Sequence, residues 1–338
     1  MVTFGGGARD DETFSFDGQQ YIPHLLNTLA PQCCFFTQVI NRGILGHYVA
    51  TASIATGAYE TFDNFVAQPP DHPTIFEYFR KDLRRPIEDA WVIAPGSLFA
   101  EMGSSQSRRY GLGKGAEVIL PKRMLASVLG GSDGSRFDSF PNILRDSYEV
   151  PVTSSIPSSN AERESMEELL ARMKLDREQL RSRAKTFVSP DELSVYITKY
   201  VMRTFAPSLL FLTLHDIDIA HSGAYSLYVE GIRSTDRLCA ELWNEVLQNP
   251  EYKNRTTMLI LPDFGRDGDN DSGGNGFQHH RTGSATARTT WMMALGQGIR
   301  ESTIVHRPVE SIDVTPTVAG LFGVDARLAQ GRPIPELA

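Results

Sequence analysis

Imidazole and carboxylate side chains gather where two apolar runs of this chain stop. Leu209 to Leu214 ends at His215, Asp216, Asp218 and His221, and Met258 to Pro262 ends at Asp263, followed by His279 and His280. Those donor types suit zinc or a similar divalent ion. Each run has the length and apolarity of a buried strand. In open α/β sheets, ligands collect at the carboxyl ends of strands, because loops there can aim several side chains at one point. A polar loop holding two histidines by accident would explain one such run, but two of the same design are hard to explain by core packing.

Two other stretches carry reactive groups. Val2-Thr3-Phe4 reads as the end of a strand running into Gly5, Gly6 and Gly7, then Arg9, Asp10, Asp11 and Glu12. Glycines there let backbone approach a ligand closely, the alternative being a tight turn with a solvated acidic tail. The segment after Ile40 carries His47, Thr51, Ser53 and Thr56 before Gly57. Its hydroxyls can cap a helix starting there, or one can act as a nucleophile favoured by the helix dipole. The acidic stretch from Gly265 to Phe277 does not match EF-hand spacing, and reads as a flexible lid or solvent loop.

The elements that must position these groups alternate between helix and strand. Tyr21 to Leu29 has helical spacing with Pro23 in its first turn, and Cys33 to Ile40 reads as a strand. Pro73 to Leu83 is an amphipathic helix, and Ala90 to Pro95 a buried strand. From Gly103 to about Ser159 the pattern loosens and is expected to decorate the sheet rather than extend it. Asn160 to Lys185 reads as one charged helix with a solvated face, the alternative being a surface for a protein partner. A helix from Pro190 to Arg203 leads into the Leu209 run, and another after Gly223 returns the chain to Met258. Thr289 to Gly296 is a late strand, and Ser311 to Val324 the final helix, with Asp313 near its start. The expectation is an α/β fold: a single domain over 1–338, with a mostly parallel central sheet, helices on both faces, and a helical or irregular cap inserted around 103–205.

Composition restricts the partners. The chain has 338 residues, 41% hydrophobic and 22% charged, with a formal charge of −8. Its Lys/Arg runs are no longer than pairs such as Arg84-Arg85 and Arg108-Arg109, which argues against binding a nucleic-acid backbone. Cys33, Cys34 and Cys239 imply no disulfide framework. No apolar segment approaches the ~20 residues of a membrane helix, and no charged-then-apolar leader opens the chain. The cytoplasm is the default compartment, with export requiring that a leader was removed.

Several segments, in order, resemble the alkaline phosphatase superfamily, especially its sulfatase and nucleotide pyrophosphatase/phosphodiesterase branches. YIPHLLNTLAPQCCFFTQVINRG from Tyr21 is similar to an early sulfatase segment. HYVATASIATGAYE from His47 is similar to the nucleophile loop, and HDIDIAHSG from His215 to the Asp-then-His metal pair. LPDFGRD from Leu261 resembles the late metal strand. HHRTG from His279, with WMMALGQGI from Trp291, resembles the last metal histidine and its strand, and SIDVTPTVAGLFGV from Ser311 resembles the closing helix.

That resemblance implies a metal-dependent hydrolase of phosphate or sulfate esters acting on a small substrate through two ions, with zinc the first choice and manganese, calcium or magnesium compatible. The first ion would take Asp216 or Asp218, His221, and His279 or His280. For the second, Asp263 matches, but Phe264 stands where histidine is usual, and glycines stand where a carboxylate should end the first strand, with Asp10 a few residues on. One ion or two is therefore left open. His47 falls at the nucleophile position, so it serves as ligand or nucleophile, Thr51 takes over, or ester chemistry is lost. Arg9, Arg266 and Arg281 are the cations available to an anionic ester, unless they pair with nearby aspartates. The competing reading is a catalytically inert relative in which an ion clamps a binding or structural subunit.

Overall fold

The computed structural model describes residues 1–110, 113–129, 160–271 and 273–337. Among them one sheet is built from β1 (Val2–Thr3), β2 (Cys33–Ile40), β3 (Ala90–Ile93), β4 (Glu117–Ile119), β5 (Leu209–Thr213), β6 (Thr257–Leu261), β7 (Thr289–Gly296), β8 (Thr303–Val305) and β9 (Val309–Glu310). The order across it is β4-β3-β5-β1-β6-β7-β2-β8, with β9 beside β2. Neighbours run parallel, except that β7 is antiparallel to both β6 and β2.

Pleating sends successive side chains to opposite faces, and the apolar runs fill both. Met258 and Ile260 of β6, with Trp291, Met293 and Leu295 of β7, join one buried layer with residues of the helices Pro190–Phe205 and Tyr225–Gln248. Leu259, Leu261, Met292 and Ala294 join the other, with α1 (His47–Thr56) and the helix Val314–Leu321. That two-sided burial is why these strands read as continuous apolar runs rather than alternating ones.

Local signals start the helices where the sequence places them, give or take a turn. The Ser189 hydroxyl accepts from the Glu192 N–H, with Pro190 in the first turn. At Ile75–Asp82, Thr74 and Glu77 form a reciprocal capping box. The helix expected from Tyr21 starts later, at Pro23, and passes into a wider turn over Leu25–Leu29. Asp236 accepts the His24 and Leu25 N–H groups there.

Three expectations need correction. The stretch after Gly103 does extend the sheet, because β4 pairs in parallel with β3 at its edge; residues 130–159 of that stretch lie outside the described residues. The charged segment from Asn160 is two helices, Asn160–Met173 and Arg177–Ala184, separated at Lys174, where φ is 53°. Leu169, Leu170, Met173 and Leu180 sit in the core, so only part of its surface is solvated. The strands β8 and β9 add to the expected set, since two or three residues of weak patterning give no periodic signal.

Cys33, Cys34 and Cys239 are buried and unbridged. Among the described residues no helix is long and apolar enough to cross a membrane.

Candidate metal centre

The topology delivers five loops to one edge of the sheet. Strands β1, β5 and β6 end level with one another, Thr3 pairing with Thr213 on one side and with Leu261 on the other. Strand β2 runs the same way and discharges into α1, whereas β7 runs oppositely and so begins at this edge. The residues after β5 and β6, the glycines after β1, the start of α1 and the residues before β7 therefore meet at one place.

There His47, Asp218, His221 and His280 each bring a ligand atom into a group spanning no more than 4.8 Å. His221 Nε2 is 3.1 Å from Asp218 Oδ1 and 3.1 Å from His280 Nε2, and His47 Nε2 is 3.1 Å from the same Oδ1. With bonds of ~2.0–2.1 Å, ligand atoms around a tetrahedral ion lie roughly 3.3 Å apart. The group could hold a metal ion.

Two of the imidazoles are aimed from behind. The Leu45 carbonyl accepts from His280 Nδ1–H at 2.7 Å, which leaves Nε2 with its lone pair toward the cluster. Asp263 Oδ2 lies 2.6 Å from His47 Nδ1. Such outer partners fix the tautomer and orientation of metal-ligating histidines. Asp263 is thus placed behind His47 and outside the ligand group, not beside His221.

The choice between neighbouring candidates comes from local backbone. Asp216–Ser222 forms a 3-10 turn, in which residues three apart eclipse one another. Asp218 and His221 therefore share a face, and a spacing of three suffices. Asp216 points away, toward the Ser189, Asp191 and Lys122 side, where Asp191 accepts the His215 and Asp216 N–H groups. Burial raises both of these carboxyls above the usual carboxylate range, Asp191 further because Asp216 is close. His279 is extended (φ −132°, ψ 157°), and successive extended residues point to opposite sides, so only His280 enters the cluster.

The remaining candidates lie outside the ligand group. Arg9 is buried, with Nε donating to Glu12 and Nη1 to Asp269, each at 2.8 Å. Asp10 is exposed on the turn beside it. Thr51 is wholly buried inside α1, a turn past its start. The helix begins at His47, and its first N–H groups go to Asn64 Oδ1 rather than to a hydroxyl of its own. Arg281 has an exposed side chain, and its N–H donates to Asp267. The loop read as a lid is tied down: Asp267 is buried and accepts from Thr282 Oγ1 at 2.6 Å.

Of the two readings of Arg266, a cation for an anionic ester or the partner of an aspartate, the structure shows the second, and Phe264 takes the place of the usual histidine as a stacking ring. Phe264 stacks on His47 with ring centroids 4.7 Å apart and planes at 26°. Arg266 is fully buried, with Nη2 2.6 Å from Asp218 Oδ1. Burial opposes the charge on His47, yet Asp218 and Asp263 together lift its imidazole to about 10. Burial, with the charges of His47 and Arg266, pushes His280 down to about 2. Burial works against ionisation of Asp218, but His47 and His221 hold its carboxyl well below the usual range.

In the metal-free protein His47 makes stability depend on pH. A group whose folded value is raised from 6.5 to about 10 gives stability that is complete below 6.5 and lost as pH climbs through 10. Urea midpoints of chelator-treated protein should fall across that window. A His47→Gln variant should show a shallower fall.

The comparisons with known proteins agree with this architecture. No family model matches the chain, and no curated protein matches it. Among solved structures, it is similar to a phosphonate monoester hydrolase from Silicibacter pomeroyi, at 14% identity and TM-score 0.58, covering 99% of this chain and 75% of that one. An alkaline phosphatase superfamily protein from Vibrio parahaemolyticus is 15% identical with TM-score 0.53, over 98% of this chain and 68% of its own. The alkaline phosphatase PafA is 11% identical with TM-score 0.54, over 99% and 98%. The chain has the alkaline phosphatase superfamily fold.

The residues fit one ion of the pair that this fold family implies, because four donors converge and two of them are oriented by outer partners. They do not fit the second. Asp263 is engaged with His47 and with the Phe264 N–H, Phe264 offers no donor atom, and no carboxylate follows β1 until Asp10.

Proposed function

We propose that this protein is a single-ion hydrolase of small phosphate or sulfate esters. The observation that supports it is the convergence of three imidazoles and one carboxylate at the loop edge of the sheet. A divalent ion held there would supply Lewis acidity for ester hydrolysis at neutral pH. Zinc suits the nitrogen-rich donor set best, and manganese is compatible. Asp218, His221, His280 and His47 would hold it, while Asp263 and the Leu45 carbonyl keep two of the rings aimed. The ring of His215 lies 4.8 Å from that of His47, at the margin of the site. Arg281, next in the chain to His280 and exposed, is available to meet an anionic substrate.

The test is to load purified protein with zinc or manganese and assay an aryl phosphate monoester, a diester and an aryl sulfate. Turnover of at least one is expected, abolished by chelator and by His280→Ala. Silence on all three with metal demonstrably bound rejects the hydrolase reading.

Two observations favour the inert alternative. The donor set is as large as that of a closed structural zinc site, and Thr51, the hydroxyl proposed as a substitute nucleophile, is buried inside α1. On that reading the ion clamps α1 to the loops after β5 and before β7, giving metal-dependent thermal stability without turnover.

A further inference from the structure

The glycine run after β1, where the resemblance expects a carboxylate for a second ion, seats a guanidinium instead. Arg266 Nε donates to the Gly7 carbonyl at 2.8 Å, Nη1 to the Phe277 carbonyl at 3.2 Å, and Nη2 both to the Gly6 carbonyl and, at 2.6 Å, to Asp218 Oδ1. Its carbon lies 5.8 Å from the centre of the Tyr228 ring. The glycine run explains the seat. Gly6 and Gly7 have φ of +96° and +69°, and a Cβ on Gly7 would come within 3.4 Å of Arg266 Cγ. Close backbone approach here thus serves an internal cation. A buried charge is costly unless it is paired and hydrogen-bonded, and this one is matched on every nitrogen.

We propose that Arg266 is the permanent second cation of this site, so that the chain takes a single divalent ion. This rests on the proposed metal centre. Two-ion sites hold their ions roughly 3.5–4 Å apart. A second ion sharing Asp218 with the first would have to displace Arg266 Nη2 and stand against its charge. A guanidinium stays charged over the pH range in which proteins fold and offers a planar fork of donors. It therefore neutralises and orients Asp218 whether or not the ion is bound. Arg266 is a positioning residue: it reaches the ion only through Asp218.

The experiment uses full-length protein stripped with chelator, desalted, and titrated with zinc or manganese alone, with bound metal counted by emission spectrometry. The wild type is expected to bind one ion per chain. Arg266→Lys keeps a charge in the seat and should also bind one, with metal-free stability below wild type because one ammonium cannot reach all the acceptors that the fork meets. Arg266→Ala leaves Asp218 Oδ1 and three carbonyls facing an empty seat, and should lose metal-free thermal stability but recover it with excess metal as its stoichiometry rises above one. Two ions of comparable affinity in the wild type overturn the assignment while leaving the metal centre intact. No bound ion overturns both. Unchanged stoichiometry and unchanged metal-dependence of stability in Arg266→Ala also overturn it. If that variant fails to fold, the wild-type and Arg266→Lys counts still decide.

Discussion

Asp218→Ala is expected to cost the metal-free protein about 3–5 kcal/mol and to abolish tight binding of a divalent ion. The stability loss comes from what the carboxylate leaves behind. Its Oδ1 is met by Arg266 Nη2 at 2.6 Å and by His47 and His221 Nε2 at 3.1 Å each. Removing one partner of a buried ion pair strands the other charge, which is far worse than never having had the pair. Arg266 cannot turn to solvent, since it is fully buried and bound to three carbonyls. The metal loss has a separate cause, because Asp218 is the only carboxylate in the ligand group. Urea unfolding reads the first effect and titration calorimetry with zinc the second. Asp218→Asn should split them, keeping the side chain's shape and an oxygen for Arg266 while losing most of the ion affinity. A drop in stability below about 1 kcal/mol for Asp218→Ala would mean that the charges around it are better solvated than their burial implies.

Gly5→Ala should be at least as damaging, though no functional atom is touched. A Cβ at that position would run into the Leu214 carbonyl oxygen just past the end of β5. Backbone on both sides is held by strand pairing, so β1 and β5 must part at the very edge that carries the site. A loss of about 4–5 kcal/mol or failure to accumulate as soluble protein is expected, values reached only by mutations with a specific structural cause, here a backbone clash. Gly320→Ala is the control. It lies in the helix Val314–Leu321 with nothing within 4 Å of an added Cβ, and replacing a helical glycine by alanine stabilises by roughly 0.5–1 kcal/mol. Thermal melts of the two variants should therefore move in opposite directions. If Gly5→Ala melts like the wild type, the backbone after β1 and β5 has room to give way at this edge.

Sequence alone determined the α/β alternation and the edge at which the candidate ligands gather. Apolar runs buried on both faces carry that information locally. Leu209 to Leu214 and Met258 to Pro262 are strands because each side chain has a layer to enter, and the polar residues after them must lie at their ends. The identity of the converging residues was not local. Asp218 rather than Asp216 depends on a 3-10 turn, which sequence does not distinguish from a loop, and His280 rather than His279 depends on which side of an extended segment faces the cluster. Asp263 looked like a ligand and stands behind His47, because α1 begins one residue after Gly46 and carries the imidazole in between. Arg266 and Gly6 lie 260 residues apart in the chain. Their joint meaning, a cation seated on carbonyls, exists only once parallel pairing of β1 with β6 has brought them side by side.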